Sequence, residues 1–263
     1  YKAGLKTGDL IIAVNKKSTM NMELQEVVSE IKKKENKKVV LTIYRDKKSK
    51  DYTVKKSSVQ LDTVSYKMKE KKIGYIAVSQ FLENTGDQFD KAVTALEKKG
   101  MKSLIIDLRD NGGGLLNTCT QMVSRVIDKD KLIVYTKDKE GNKEEFKSDS
   151  GKTLEIPIII LVNGNTASAS EIMTGCLKDY GKATVVGTTT YGKGIVQNIM
   201  PLTDGSAIKF TIAKYYTPNG TDIHKKGIKP DVKVKMSDAQ WKKAQTDEKA
   251  DKQLKKAIEL LEK

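Results

Sequence analysis

Apolar positions recur along this chain in two different rhythms. Residues 1–58 open on a Gly-punctuated turn, "AGLKTGD", that runs into the short apolar segment Leu10–Val14. "MELQEVVSEIKKK" follows, with Leu24, Val27, Val28 and Ile31 at the spacing of one helical face. "KKVVLTIYRD" and "KDYTVKK" then alternate or are β-branched, which is the pattern of strands. From Lys72 strands and helices take turns. "IGYIAVSQF" reads as a strand, and "DQFDKAVTALEKKG" as a helix with Phe89, Val93 and Leu96 on one face and Gly100 past its end. "SLIIDLRD" is a buried strand, "LLNTCTQMVSRVI" a helix, and "KLIVYT" and "IPIIILV" are strands. "ASEIMTGCLKDYG" is a helix closed by Gly181, and "ATVVG" and "AIKFTIAKYY" are further strands. Strands alternating with helices predict an α/β fold of βαβ units, with a sheet covered on its faces, over residues 59–236. Residues 237–263 read as a polar helical tail whose narrow stripe, Ala257, Leu260 and Leu261, can dock on the core or on a partner.

Composition adjusts this picture in several places. A chain of 263 residues with 38% hydrophobic content supports one large domain or two smaller ones. A formal charge of +15 first suggests nucleic acid, but the basic residues are nearly all Lys, with Arg only at 45, 109 and 125. Base readers and phosphate clamps favour Arg forks, and no basic run is interleaved with stacking aromatics. The charge therefore reads as a solvated Lys-rich surface, and no nucleic-acid partner is expected. Cys119 and Cys176 stand alone, with no metal-ligand spacing, and read as two buried thiols in preference to one disulfide. His224, the sole histidine, lies in the turn-rich "NGTDIHKKG" and reads as a surface residue. That excludes zinc sites built on several His and leaves a Ser-His-Asp triad badly served. No metal or cofactor is expected. No apolar stretch reaches membrane-spanning length, and no signal peptide is visible. "YKAGLKTGDL" reads as mid-domain text, so a targeting segment upstream remains compatible with the chain.

Two loops stand out, and a third bears on them. "DLRDNGGGLL" sets three glycines between a strand and a helix, where unpaired N–H groups favour negative charge. It lacks a P-loop Lys and G-x-G-x-x-G spacing, which leaves an oxyanion hole or a plain tight turn. "NGNTASASE" follows a buried strand and starts a helix, so a Ser there sits on a sharp corner beside a helix N-terminus. The competing reading is a cap, with Ser168 or Thr166 at the helix start and Glu171 completing a capping box. "TTTYGKGIVQ" then sets Lys193 between two glycines beside Ile195 and Val196. Burial penalises a charged lysine, and a neutral Lys can take a proton from a Ser hydroxyl. Ser–Lys is the available nucleophilic pair.

The stretch "AGL-x-x-GD-x-I" with its helix and two strands resembles the second half of a PDZ domain. "DLRDNGGGLL", "VNGNTASASEI", "TYGKGIVQ", "YYTPNG" and "KGIKPDV" occur in the order and spacing of the carboxyl-terminal processing peptidases, also called tail-specific proteases. The chain resembles that family over most of its length. The resemblance implies a crotonase- and Clp-protease-like catalytic core behind a partial PDZ-like domain. It also implies Ser168 as nucleophile, Lys193 as general base and Gln197 as the residue that orients Lys193. The amide of Ala169 and a Gly of the "NGGG" turn, Gly114 ahead of Gly113, would form the oxyanion hole. Glu171 caps or pairs with a nearby Lys and receives no catalytic role.

The implied function is a serine endopeptidase that cleaves polypeptides with apolar C-terminal tails near their ends. It implies a secreted or membrane-anchored bacterial protein, with any anchor outside this segment, and leaves room for a homo-oligomer. A PDZ-type scaffold with an inactive peptidase fold is the first alternative, and the intact Ser168, Lys193 and Gln197 argue against it. A crotonase-like acyl-CoA enzyme is the second, and the PDZ-like segment argues against that.

Overall fold

The computed structural model describes residues 3–33, 37–56, 61–149 and 153–262. Two compact units divide the chain, Tyr1–Gln60 and Leu61–Lys263. The expected boundary between residues 58 and 59 lies outside the described residues. In the first unit, β1 (Leu10–Val14), β2 (Lys17–Ser18), α1 (Leu24–Lys32), β3 (Lys38–Arg45) and β4 (Lys48–Lys55) follow one another. The strands form an antiparallel sheet in the order β2-β1-β3-β4. Alternation along β3 turns Val39, Leu41 and Ile43 inward onto Val14, with Val27 and Ile31 of α1 packed against them. Leu24, expected on the same helical stripe, is 73% exposed because it lies at the first turn, ahead of the packed face.

The second unit comprises β5 (Val64–Met68), β6 (Ile73–Val78), α2 (Thr85–Lys98), β7 (Ser103–Asp107), α3 (Leu116–Ser124), β8 (Leu132–Asp138), β9 (Lys143–Lys147), β10 (Ile158–Val162), α4 (Ala169–Asp179), β11 (Ala183–Gly187), β12 (Ile195–Pro201), β13 (Ala207–Tyr216), β14 (Val232–Lys233), α5 (Asp238–Thr246) and α6 (Lys252–Leu261). Its main sheet runs β14-β11-β10-β7-β6-β5, parallel except for β5. Period two divides the apolar strand residues between two cores. Leu104, Ile106, Ile158, Ile160 and Val162 join Phe89, Val93 and Leu96 of α2, Met122 and Val123 of α3, and Ile172 and Met173 of α4. Ile105, Ile159, Leu161 and Val186 face the other way, onto Leu254 and Ala257 of α6. Each fully buried aliphatic side chain contributes about 1.5–3 kcal/mol, so the C-terminal helix is an integral layer of this unit.

One expectation needs correction. The alternation of strands and helices predicts a single covered sheet, but β8 and β13 leave it for a separate antiparallel sheet, β12-β13-β8-β9. Turn chemistry overrides the alternation. In "DKEGN" the Asp138 carboxylate accepts from Glu140 N and Asn142 N, and in "TDGS" Asp204 accepts from Ser206 N. Such short turns join only antiparallel neighbours. The tail is two helices, each with its own cap. Ser237 accepts from Gln240 N, and Asp251 accepts from Leu254 N. Among the described residues, no helix is long and apolar enough to cross a membrane.

Arg45 closes the first glycine turn. Its Nε and Nη2 donate to the two Asp9 carboxylate oxygens, each at 2.5 Å, and Nη2 also donates to Gly4 O at 3.0 Å. The Arg45 hydrogen bonds, joined by one from Lys6 N, hold the Asp9 carboxyl down to about 2. An unfolded Asp titrates near 3.9, so this pair's contribution is full above that value and is lost as pH falls toward 2. Asp9→Asn is expected to lower amide protection in β1 and β3 near pH 6 and to flatten its acid dependence. Equal acid sensitivity in both proteins would contradict the assignment.

Candidate active site

Three loops leave the carboxyl ends of the adjacent parallel strands β7, β10 and β11, where open α/β sheets gather their sites. The loop after β7 is the glycine turn. Asn111, fully buried, donates from Nδ2 to Val78 O at 2.8 Å and accepts from Gly113 N on Oδ1 at 2.9 Å. Gly113 has φ +95°, and a Cβ there would lie 2.7 Å from Ala167 O, 2.8 Å from Ser168 Cβ and 2.9 Å from Ala169 N. Glycine is therefore required twice over, by its dihedral and by the approach of the next loop. At Gly114, φ +149°, a Cβ would lie 2.1 Å from Phe81 O.

The loop after β10 carries Ser168 at φ 57°, ψ −118°, a backbone conformation that costs a non-glycine residue about 1–3 kcal/mol. Neighbours over-determine it. Ala167 N donates to Asn111 O at 3.0 Å, and so does the Ser170 hydroxyl, also at 3.0 Å. Thr166 is buried and donates to Leu108 O at 2.8 Å, so its hydroxyl serves the loop. α4 begins at Ala169, and the helix is buried along nearly its whole length.

The third loop, after β11, carries Lys193. It is joined to Ser168 by Glu171, which is 0% exposed. Glu171 Oε2 accepts from Ser168 N at 2.9 Å and from Lys193 N at 2.8 Å. Glu171 Oε1 accepts from Thr190 Oγ1 at 2.6 Å and from Gly192 N at 2.7 Å. A carboxylate is acceptor-only, and here four donors meet its two oxygens. The capping-box reading of Ser168 and Glu171 thus describes half of this residue's work. The other half, the hold on residues 190–193, has no signal in the local sequence.

Of the expected site residues, Ser168, Ala169, Gly113, Gly114 and Lys193 lie on these three loops. Gly113 N is taken by Asn111, whereas Ala169 N and Gly114 N have no hydrogen-bond partner among the described residues. Lys193 is half-buried. Gln197 sits on β12 beside a bulge, and its side chain is exposed with no hydrogen-bond partner among the described residues. His224 is half-buried, contrary to the surface reading. Its backbone packs on Gly194, where a Cβ would lie 2.5 Å from His224 N, and its Nδ1 is buried without a partner. Both cysteines are buried and free. Cys119 Sγ donates to Ala169 O at 3.2 Å, and burial pushes this thiol up to about 12.

Comparison with known proteins gives a consistent result. The model of peptidase family S41 matches residues 72–234, more than half of the chain, and that of the PDZ domain matches residues 1–45. The chain is 41% identical over 238 residues to "Carboxy-terminal processing protease CtpA" of Bacillus subtilis (strain 168), covering 90% of this chain and 51% of that protein. It is 42% identical over 235 residues to "Probable CtpA-like serine protease" of Staphylococcus aureus (strain N315), covering 89% of this chain and 47% of that protein. The chain spans about half the length of these curated relatives. Among solved structures, the photosystem II D1 C-terminal processing protease matches with a TM-score of 0.62 and 29% identity, over 89% of this chain and 64% of that one.

Glu171→Gln replaces an acceptor oxygen with an NH₂ group that faces two donors. A loss of about 1–3 kcal/mol is expected, with faster amide exchange at Gly192 and Lys193. An unchanged melting temperature and unchanged exchange would show that the carboxylate does not hold the loops. Gly113→Ala is expected to destabilise the protein and to displace the Ser168 turn, which a crystal structure of the variant would reveal.

Proposed function

The chain belongs to peptidase family S41, and from that premise we propose that it is a serine endopeptidase acting near polypeptide C-termini through an acyl-enzyme on Ser168. The observation that carries this reading is the Glu171 carboxylate, whose one oxygen accepts from both Ser168 N and Lys193 N. It fixes the turn of the nucleophile against the loop of the base. As general base, the Lys193 amine takes the Ser168 hydroxyl proton as Oγ attacks the scissile carbonyl. The oxyanion that forms accepts from Ala169 N–H and Gly114 N–H, which have no hydrogen-bond partner among the described residues and stand at the start of α4 and in the glycine turn. Lys193 passes the proton to the leaving amine, and the C-terminal fragment departs. A water that gives its proton to Lys193 then attacks the ester carbonyl, the remaining fragment leaves as its carboxylic acid, and Lys193 returns the proton to Ser168 Oγ.

Gln197 is assigned the orienting partner of Lys193, a role that requires its exposed side chain to turn toward the amine when substrate arrives. Exposed Leu10, Met20 and Leu24 in the PDZ unit favour polypeptides with apolar C-terminal tails as substrates. The relatives named as carboxy-terminal processing proteases support action at polypeptide C-termini. An extracytoplasmic setting belongs to this reading by the same likeness.

The test is mass spectrometry of products from peptides with free and amidated C-termini. Ser168→Ala is expected to abolish hydrolysis with the fold intact. Lys193→Arg is expected to be nearly inactive, because a guanidinium stays protonated. Ser170→Ala removes a structural hydrogen bond and is expected to cost about 1 kcal/mol of stability and far less rate. Equal loss in the two serine variants, or full activity in Ser168→Ala, would sink the assignment. Peptide binding without turnover by the wild type would favour a scaffold protein instead.

A further inference from the structure

Asp110 stands at the junction of three segments, and the steps of the reaction give it no part. It opens the glycine turn at φ 58°. Its backbone N donates to Asn163 Oδ1 at 3.0 Å, and its Oδ1 accepts from Asn163 Nδ2 and Asn165 Nδ2, each at 2.8 Å. These bonds tie the turn of Gly113 and Gly114 to the loop that leads into Ser168. Its Oδ2 accepts from Trp241 Nε1 of α5 at 2.9 Å. The indole is held in turn. Its ring lies over the Arg109 guanidinium, 4.5 Å from the ring centroid, and Arg109 donates to both carboxylate oxygens of Asp251, at 2.9 and 2.7 Å. Asp251 caps α6, the helix that covers one face of the main sheet.

We infer that Asp110 and Trp241 are positioning residues for the peptidase reaction: the C-terminal helices, through the indole N–H, fix the glycine turn against the nucleophile turn. The inference rests on the reading of Ser168 as nucleophile. Its physical basis is the tolerance of an oxyanion hole. Donors must stand within hydrogen-bond range of an oxygen that appears only as the bond forms, and small displacements are costly. The glycine turn has left-handed φ at Asp110, Gly113 and Gly114, and it is held by bonds to other segments, from Phe81 N to Gly113 O, from Ala167 N to Asn111 O and from Asp110 N to Asn163 Oδ1. It relies on partners, and Trp241 is the partner supplied by the far end of the chain. Burial raises the Asp110 carboxyl, but hydrogen bonds from Asn165, Asn163 and Trp241 outweigh it and hold the group below its usual range. An acceptor-only carboxylate is what these three donors need.

The experiment uses the full chain, with an alkyl fluorophosphonate as the probe of Ser168 and intact mass as the readout. Trp241→Phe keeps an aromatic ring over Arg109 and removes only the N–H. Asp110→Asn keeps one acceptor oxygen for the two asparagines and turns an NH₂ toward the indole. Each variant is expected to modify Ser168 about tenfold more slowly than wild type, well below its melting temperature. The double variant is expected to be no slower than Asp110→Asn, because both changes break the same bond. Where a peptide is cleaved, kcat is expected to fall while KM stays, which a merely structural role would not produce. Wild-type rates in Trp241→Phe, or losses that add in the double variant, overturn the inference while leaving Ser168 as nucleophile. A wild-type protein that is not modified at Ser168 overturns the peptidase reading, and the inference with it.

Discussion

Glu171 carries an acceptor-only group into a place that water does not reach. Burying a carboxylate without partners costs several kcal/mol, and here four hydrogen bonds offset that cost. The arrangement is demanding in return. Loss of any donor leaves a buried lone pair, so Ser168, Thr190, Gly192 and Lys193 are held to one another as strictly as the carboxylate is held to them. A strained nucleophile backbone at φ 57° persists because its neighbours leave it no alternative. Replacement by an apolar residue would remove the desolvation cost but also the link between the two loops. The carboxylate is kept for geometry more than for stability.

Arg109 does the same service on the opposite side of the sheet ends. Burial opposes its charge, yet Asp107 and Asp251 keep the guanidinium firmly protonated. Tyr75 donates its hydroxyl to Asp107 at 2.7 Å, and Gln253 Oε1 accepts from Arg109 Nη1 at 3.1 Å. Such a buried cluster is weak evidence for net stability, but its bonds tie the end of β7 to the start of α6. It determines where α6 starts, and so where the Ile105, Ile159 and Leu161 face meets Leu254 and Ala257. The glycine turn after β7 therefore lies between two buried charge networks. It has little room to drift, as donors aimed at a transient oxygen require.

The sequence by itself determined most elements, because strand and helix periods are local properties of the chain. "ATVVG" and "AIKFTIAKYY" became β11 and β13 with the expected ends. The "NGGG" and "SASE" loops announced themselves through residue types that only tight backbone or a helix start explains. Tertiary structure decided what depends on distant segments. It moved β8 and β13 into a second sheet, since pairing partners are chosen by turns and packing that a period does not encode. It drew His224 inward, because Gly194 leaves space for its backbone. It turned Glu171 from a cap into the tie between two loops, and Trp241 from a tail residue into a support for the glycine turn. Trp241 and Asp110 are 131 positions apart, so no local pattern can announce their bond. Hydrogen bonds between loops leave no periodic trace in sequence; they exist only once the sheet has brought its strand ends side by side.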